Sequence, residues 1–446
     1  MIFNTGNTMR LTRRNFLKTA SVTLGAVGFA APAVLGADKT KTYRTALVGS
    51  GWWGTNILEA ALDSKTVQPV ALVDVDRKNL EKAVKKIESQ TSQSLKAFGD
   101  YREMLEQVKP EIVICATPDH WHPLITIAAL KSGAHVYLEK PVCHTIAEGI
   151  AMVRIARETG KTVQVGTHRR ASPHNISAME FLKSGRLGKI GSVRAFVHYQ
   201  GGAGSKTPDA PVPEGLDWDM YCGPAQLIPF NPRIHPGGFR YFSNFANGQL
   251  GDWGIHWLDQ VLWWAESVGE NAPKMVASSG GRFIKEDSTD TPDCQNVVYQ
   301  FDQFSVEWEH RNFAGNAAEN TNIGVYFYGT KGTLHLGWLD GWSYYKSGDA
   351  KGTPEIHEDP QLHSPSDNHN IPELWDDFID AIETGKRPMC DIELGNRSTQ
   401  MSLLGMMSLK LGRSVQWDGE KQMPIGDEQA VALMKREYRA PWVYPE

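Results

Sequence analysis

The feature that most constrains this chain is the run Gly49-Ser50-Gly51-Trp52-Trp53-Gly54 in its setting. A short apolar stretch of β character, Tyr43–Val48, leads into it. A helix pattern follows, with Ile57, Leu58, Ala61 and Leu62 on one face. Residues 69–73 read as a second buried strand that ends at Asp74. In this arrangement Gly49 permits the tight turn, Gly51 lets backbone approach a pyrophosphate, and Gly54 lets helix pack on strand. The helix N-terminus offers unpaired amides and positive potential to phosphates. Asp74 lies 20 residues beyond Gly54, where an acid can take ribose hydroxyls. Three glycines alone would mean little. Strand, glycines, helix, strand and acid in that order predict a dinucleotide site built from Gly49, Ser50, Gly51, Trp52, Trp53, Gly54 and Asp74. An acid at 74 disfavours a 2′-phosphate, so NAD is expected; Arg77 nearby leaves NADP open.

The alternation continues. Residues 98–108 read as a loop and short helix, 111–116 as a third buried strand, 124–132 as a helix and 134–138 as a strand. A helix over 147–158 and a strand over 162–166 follow. Repeated βα units predict a parallel, doubly wound sheet, with ligands at the carboxyl ends of its strands. Thr117, Pro118, His122, Glu139, Lys140 and His168 then fall toward one crevice. His120 and His122 form a close pair, but no third ligand lies within sequence reach, so no metal is expected.

Composition narrows the class. At 446 residues, with 41% hydrophobic and 22% charged, the chain suits a protein of two or three domains. Five cysteines are too few for a disulfide scaffold and read as mostly buried thiols. Residues 1–37 look like an export signal. Arg13-Arg14-Asn15-Phe16-Leu17-Lys18 resembles the twin-arginine motif, and a charge-free small-residue run follows over 19–36. Met9 is an alternative start. Without this segment the chain carries 42 bases against 51 acids, a net charge of −9. That argues against nucleic acid as a partner. A periplasmic or otherwise exported protein is expected, with no membrane association after signal cleavage. Outside the cytoplasm there is little free nicotinamide to exchange with, so the cofactor is expected to be tightly bound.

Taken together, the glycine loop, Thr117-Pro118 with His122, and Glu139-Lys140-Pro141 resemble the glucose–fructose oxidoreductase / inositol dehydrogenase / rhizopine-catabolism (Gfo/Idh/MocA) family. Gly251-Asp252-Trp253-Gly254-Ile255-His256 resembles the family's second motif, in which an Asp and a His four residues apart face the substrate. The resemblance covers nearly all of residues 42–440. It implies an α/β protein: an N-terminal Rossmann domain, then a C-terminal α/β domain with a large, mostly antiparallel open sheet. The expected division is 1–37 signal, 38–168 dinucleotide-binding domain and 169–446 substrate and oligomerisation domain. A homo-dimer or homo-tetramer is also implied. Short runs at 191–199, 275–279, 297–301, 305–313, Ile323–Gly329 and Gly332–Gly337 fit such a sheet. Residues 200–250, rich in Gly, Pro and aromatics, read as a long ordered substrate-side loop; 372–383 and 398–411 read as helices, and 438–446 as an ordered arm.

The chemistry expected is hydride transfer between NAD and a secondary hydroxyl of a sugar, glycoside or polyol. Lys140 would stabilise the developing alkoxide. His256 would take the hydroxyl proton, since its pKa lies nearest neutrality. Asp252, one helical turn before His256, would hold a substrate hydroxyl and favour the imidazolium. Arg169 and Trp253 are further substrate contacts, and Glu139 is expected to pair with Lys140 or meet the cofactor ribose. Asp259 reads as structural. The alternatives are a redox-neutral glycosidase, working by transient oxidation at C3 and elimination, and a cofactor-bound sensor without catalysis.

Overall fold

The computed structural model describes residues 41–316, 319–349, 351–362 and 370–446. The export segment read at 1–37 lies outside the described residues.

The first sheet runs β1 (Tyr43–Val48), α1 (Trp52–Asp63), β2 (Val67–Val73), α2 (Arg77–Thr91), β3 (Lys96–Phe98), α3 (Tyr101–Val108), β4 (Ile112–Cys115), α4 (His122–Lys131), β5 (His135–Leu138), α5 (Ile146–Thr159) and β6 (Val163–Val165). Its order is β3-β2-β1-β4-β5-β6, and every pairing is parallel. The central strands are buried along most of their length, and this is why they read as continuous apolar runs such as Ile112–Cys115. Strand order reverses between β1 and β4, which opens a crevice at their carboxyl ends.

The second half carries α6 (Pro173–Lys183), β7 (Ile190–His198), α7 (Trp218–Cys222), α8 (Ile255–Ala265), β8 (Met275–Gly281), β9 (Cys294–Gln300), β10 (Ser305–Arg311), β11 (Ile323–Gly329), β12 (Gly332–Gly337), β13 (Trp342–Lys346), β14 (Ile356–Glu358), α9 (Ile371–Thr384), α10 (Ile392–Leu411), β15 (Val415–Asp418), β16 (Met423–Pro424) and α11 (Glu428–Ala432). The ten strands order as β14-β13-β12-β11-β7-β10-β9-β8-β15-β16. Only the β7–β10 pair is parallel among those described, so the sheet is mostly antiparallel, as the resemblance implies. β11 and β12 meet through Thr330-Lys331. The edge strands β13 to β16 extend the sheet beyond the six runs expected.

The two halves share their packing. The Trp375 indole on α9 donates to Thr66 Oγ1 at 3.2 Å and its ring lies 5.7 Å from Tyr137 on β5. So a helix from the end of the chain covers the first sheet.

Residues 200–250 are more structured than a loop. They hold α7, a 3-10 turn at Gly238–Tyr241 and their own apolar core of Leu216, Trp218, Tyr221, Phe230, Phe239 and Phe245. This strap is tied to the turn after β2. Asp217 N donates to Val75 O at 2.9 Å, Arg77 N to Gly215 O at 2.9 Å, and His235 Nε2 lies 2.9 Å from Asp76 Oδ2. The terminal arm is ordered as expected: Tyr438 donates to Glu148 at 2.8 Å, and Trp442 packs edge-on against Trp121 at 4.8 Å. No helix among the described residues is long and apolar enough to cross a membrane.

Candidate active site

A crevice of about 550 Å³ follows the carboxyl ends of β1, β2, β4 and β5, between the first sheet, the strap and α8. Its nucleotide end is the glycine loop. Gly49 has φ +89°, and a side chain there would lie 2.5 Å from Ala116 O. A side chain at Gly54 would lie 2.0 Å from Gly49 O. A Cβ at Gly51, by contrast, would meet nothing within 4 Å: it would project into the open space a pyrophosphate needs. The first turn of α1 carries no acid, so its free amides face that space with their positive potential undiminished. Asp74 lines the crevice at the end of β2. Its carboxylate accepts from Ser50 N at 2.9 Å and Asp76 N at 2.8 Å, which fixes the loop against the acid. Burial raises the Asp74 carboxyl to about 6. These residues fit a dinucleotide with free ribose hydroxyls.

The other end carries the chemistry. The Lys140 ammonium, just beyond β5, donates to Asp252 Oδ1 at 2.7 Å and to Asp252 O at 2.8 Å. Arg240 Nε, from the strap, donates to the same Oδ1 at 3.1 Å. Burial alone would raise the Asp252 carboxyl, but Lys140 and Arg240 outweigh it and hold the group well below the usual carboxylate range. The pair is 13% and 14% exposed, so little solvent screens it. Asp252 sits in a π-helical turn, Leu250–Gly254, that runs into α8. His256 follows in the first turn of α8, 6% exposed and lining the same crevice. Its ring packs against His168 at 5.4 Å, Trp338 at 5.1 Å and Trp253 at 5.6 Å. The helix expected over 252–264 is therefore present, with a π turn at its start.

The remaining candidates divide. Gly49, Gly51, Trp52, Trp53, Gly54, Asp74, Thr117, Pro118, Glu139, Lys140, Asp252, Trp253 and His256 all line the crevice. Ser50 acts behind the loop through Asp74. Arg77 turns outward to Glu81 and Glu214, with its side chain 62% exposed, and does not line the crevice. His122 does not line it either. It is fully buried, with Nδ1 2.7 Å from Pro141 O and Nε2 2.9 Å from Thr117 O, so it pins together the two turns that do. Arg169 is 2% exposed and lies 3.5 Å over the Trp338 ring, one layer behind the crevice wall. Asp259 is structural: it receives two bonds of 2.9 Å from the buried Arg170. Among the aromatics, Trp121, Tyr221 and Trp253 reach the crevice, while Trp218 and Trp257 pack in cores.

Sequence reading missed Asp119, Arg240, His235 and Trp338, all of which line the crevice. Asp119 was within reach, since it follows Thr117-Pro118 at the carboxyl end of β4. Arg240 and Trp338 carried no local signal; only the tertiary fold brings the strap and the end of β12 to this wall. Among the described residues, no group of three His, Cys, Asp or Glu side chains could hold a metal ion.

Residues 43–167 match the oxidoreductase family model with an NAD-binding Rossmann fold. Residues 195–280 and 354–444 match the C-terminal alpha/beta domain of the same oxidoreductase family. The chain belongs to the Gfo/Idh/MocA family. A curated relative, a glycosyl hydrolase family 109 protein of Shewanella pealeana, is 25% identical over 206 residues, 41% of this chain and 45% of that protein. The chain thus spans less than half the length of the curated relatives it matches. A levoglucosan dehydrogenase in complex with NADH and levoglucosan superposes with a TM-score of 0.65 at 17% identity, over 84% of this chain and 99% of that one. The aldose-aldose oxidoreductase of Caulobacter crescentus, complexed with glycerol, gives 0.62 at 20% identity, over 84% and 100%. At these identities the likeness to family members is one of fold.

Proposed function

We propose that this protein oxidises a secondary hydroxyl of a sugar, glycoside or polyol with NAD held in the crevice. The observation that carries the reading is the buried Lys140–Asp252 pair beside His256, set at the end of a glycine-loop crevice. When bound, the nicotinamide supplies the hydride acceptor. The chain supplies the rest. Lys140, ion-paired with Asp252, donates to the reacting oxygen and stabilises its negative charge. Two cations, Lys140 and Arg240, flank the Asp252 carboxylate at this end. His256 takes the hydroxyl proton, and the nearby Asp252 carboxylate favours the resulting imidazolium. Glu139 and Thr117-Pro118 line the crevice and would border a bound nucleotide.

The test begins with the protein as purified, without added nucleotide. Denaturation should release close to one NAD per chain, and sugars should reduce the bound cofactor, read by nicotinamide absorbance. Lys140→Ala and His256→Ala should keep the nucleotide and slow reduction by about 100- to 10,000-fold. Normal reduction in both variants would remove the assignment. Asp74→Ala should lower nucleotide content instead.

A second reading is redox-neutral glycoside cleavage through a transient ketone. The family 109 relative is named a glycosyl hydrolase, which favours it. The twin-arginine-like segment supports export with the nucleotide already bound, and the family resemblance supports a homo-oligomer. Both belong to this proposal.

A further inference from the structure

Four carboxyl groups line the crevice: Asp74, Asp119, Glu139 and Asp252. Three have work in the resting protein. Asp74 holds the amides of Ser50 and Asp76. Glu139 receives Lys140 N at 3.2 Å and the Trp53 indole. Asp252 is ion-paired to Lys140 and Arg240. Asp119 differs. It is 6% exposed, and among the described residues its carboxyl meets no donor but its own backbone amide. A buried carboxyl without a partner favours its neutral, proton-bearing form. Burial, with Asp252 adding repulsion, raises Asp119 to about 7 although Arg240 and Lys140 pull the other way. Tyr221 from the strap and Cys143 beyond β5 also feel its charge. Asp119 enters from the turn after β4, whereas Asp252 and His256 come from the π turn and α8.

Oxidising an alcohol needs one proton acceptor. Breaking a glycosidic bond needs a base and an acid together. We propose that Asp119 is a second acid/base residue of this crevice, the one that protonates the oxygen leaving a bound glycoside. The proposal rests on the reading that the crevice oxidises a sugar, since the step begins from a ketone. His256 first passes the hydroxyl proton of the oxidation to solvent; the carbon next to that ketone then gives its proton to the neutral His256, the C–O bond one carbon further on breaks, and the Asp119 proton goes to the leaving oxygen. Water then adds to the double bond: its hydroxyl joins the carbon, its proton returns to Asp119, and His256 gives its proton back. Nothing is oxidised or reduced in this pair of steps.

The test uses the full chain as purified, with its nucleotide. In the wild type, an infrared difference spectrum between acid and alkaline pH should show protonated-carboxyl absorption titrating near neutrality, and Asp119→Asn should lack one carboxyl's share of it while the Glu139 and Asp74 components stay. Nucleotide content should be equal in the two, which separates this role from that of a ribose contact. On a panel of methyl and 4-nitrophenyl hexosides, Asp119→Asn should lose about 10- to 100-fold more rate on the methyl than on the nitrophenyl glycosides, because nitrophenolate leaves without help. Imidazole, whose cation is an acid near neutrality, should restore part of the methyl-glycoside rate in Asp119→Ala. An unchanged infrared band, equal losses on both leaving groups, or a fall in bound nucleotide would each overturn the proposal. Wild-type protein that reduces its nucleotide with sugars but cleaves neither glycoside would overturn it and leave the oxidation reading standing. Protein whose nucleotide no sugar reduces would overturn both.

Discussion

Charge at single residues sets how this crevice responds to pH. Asp119 and Glu139 have folded-state values of about 7, above those of an unfolded chain. Between pH 4 and 7 the folded protein therefore holds protons that the unfolded chain has lost, and stability falls as pH rises through that window. Asp252 has the opposite sign: its contribution is present above the unfolded value and lost on acidification. Asp119→Asn should accordingly stabilise nucleotide-free protein at pH 8 by on the order of 1–3 kcal/mol and leave it little changed at pH 4, read as the difference in Tm. Arg170 and Asp259 offer a contrast. Asp259→Ala strands a buried guanidinium and should cost about 3–5 kcal/mol in denaturant unfolding. At this scale Lys140, Asp252 and His256 were legible because motif spacing carries them. Arg169 was not, because nothing local says whether the side chain reaches the crevice or stops behind Trp338.

Elements explain which positions the site cannot change. The glycine loop works because α1 starts against β1 with no side chain between them. Gly54→Ala would push a methyl into a backbone carbonyl, which cannot swing aside. We expect it to lose about 1–3 kcal/mol of stability and most of its bound nucleotide, measured together by Tm and by released NAD. The π turn matters in the same way. It adds a residue to one turn, so Asp252 and Trp253 are rotated relative to α8 while His256 continues the regular helix. The first sheet could be read from sequence because its strands are continuous apolar runs with glycine punctuation. β3 and β13 to β16 could not. β3, β14 and β16 span only two or three residues, and a run such as Trp-Ser-Tyr-Tyr-Lys in β13 pairs because a neighbouring strand is already there.

Across the whole molecule, distant segments close the crevice. The terminal arm reaches Glu148 and Thr145 through Tyr438 and Tyr444, and props Trp121, a crevice wall, with Trp442. Removing residues 436–446 should lower Tm and raise the sugar KM more than it lowers kcat, since it loosens a wall and leaves Lys140 and His256 in place. The order of the arm was foreseeable from its prolines and aromatics; its seat on Trp121 needed the fold. The strap reaches further still. It is fastened to the turn after β2 by His235–Asp76 and by the backbone bonds of Gly215 and Asp217, and it meets Asp252 through Arg240. Between them lies a private apolar core, so the segment cannot fray residue by residue. It must lift as one piece or stay down. Departure of a molecule from beneath it then behaves like a latch and not like a leak. Release should follow a single exponential, steeply accelerated by heat, and trimming the strap's core at Phe230 or Phe245 should quicken it even though neither ring borders the crevice.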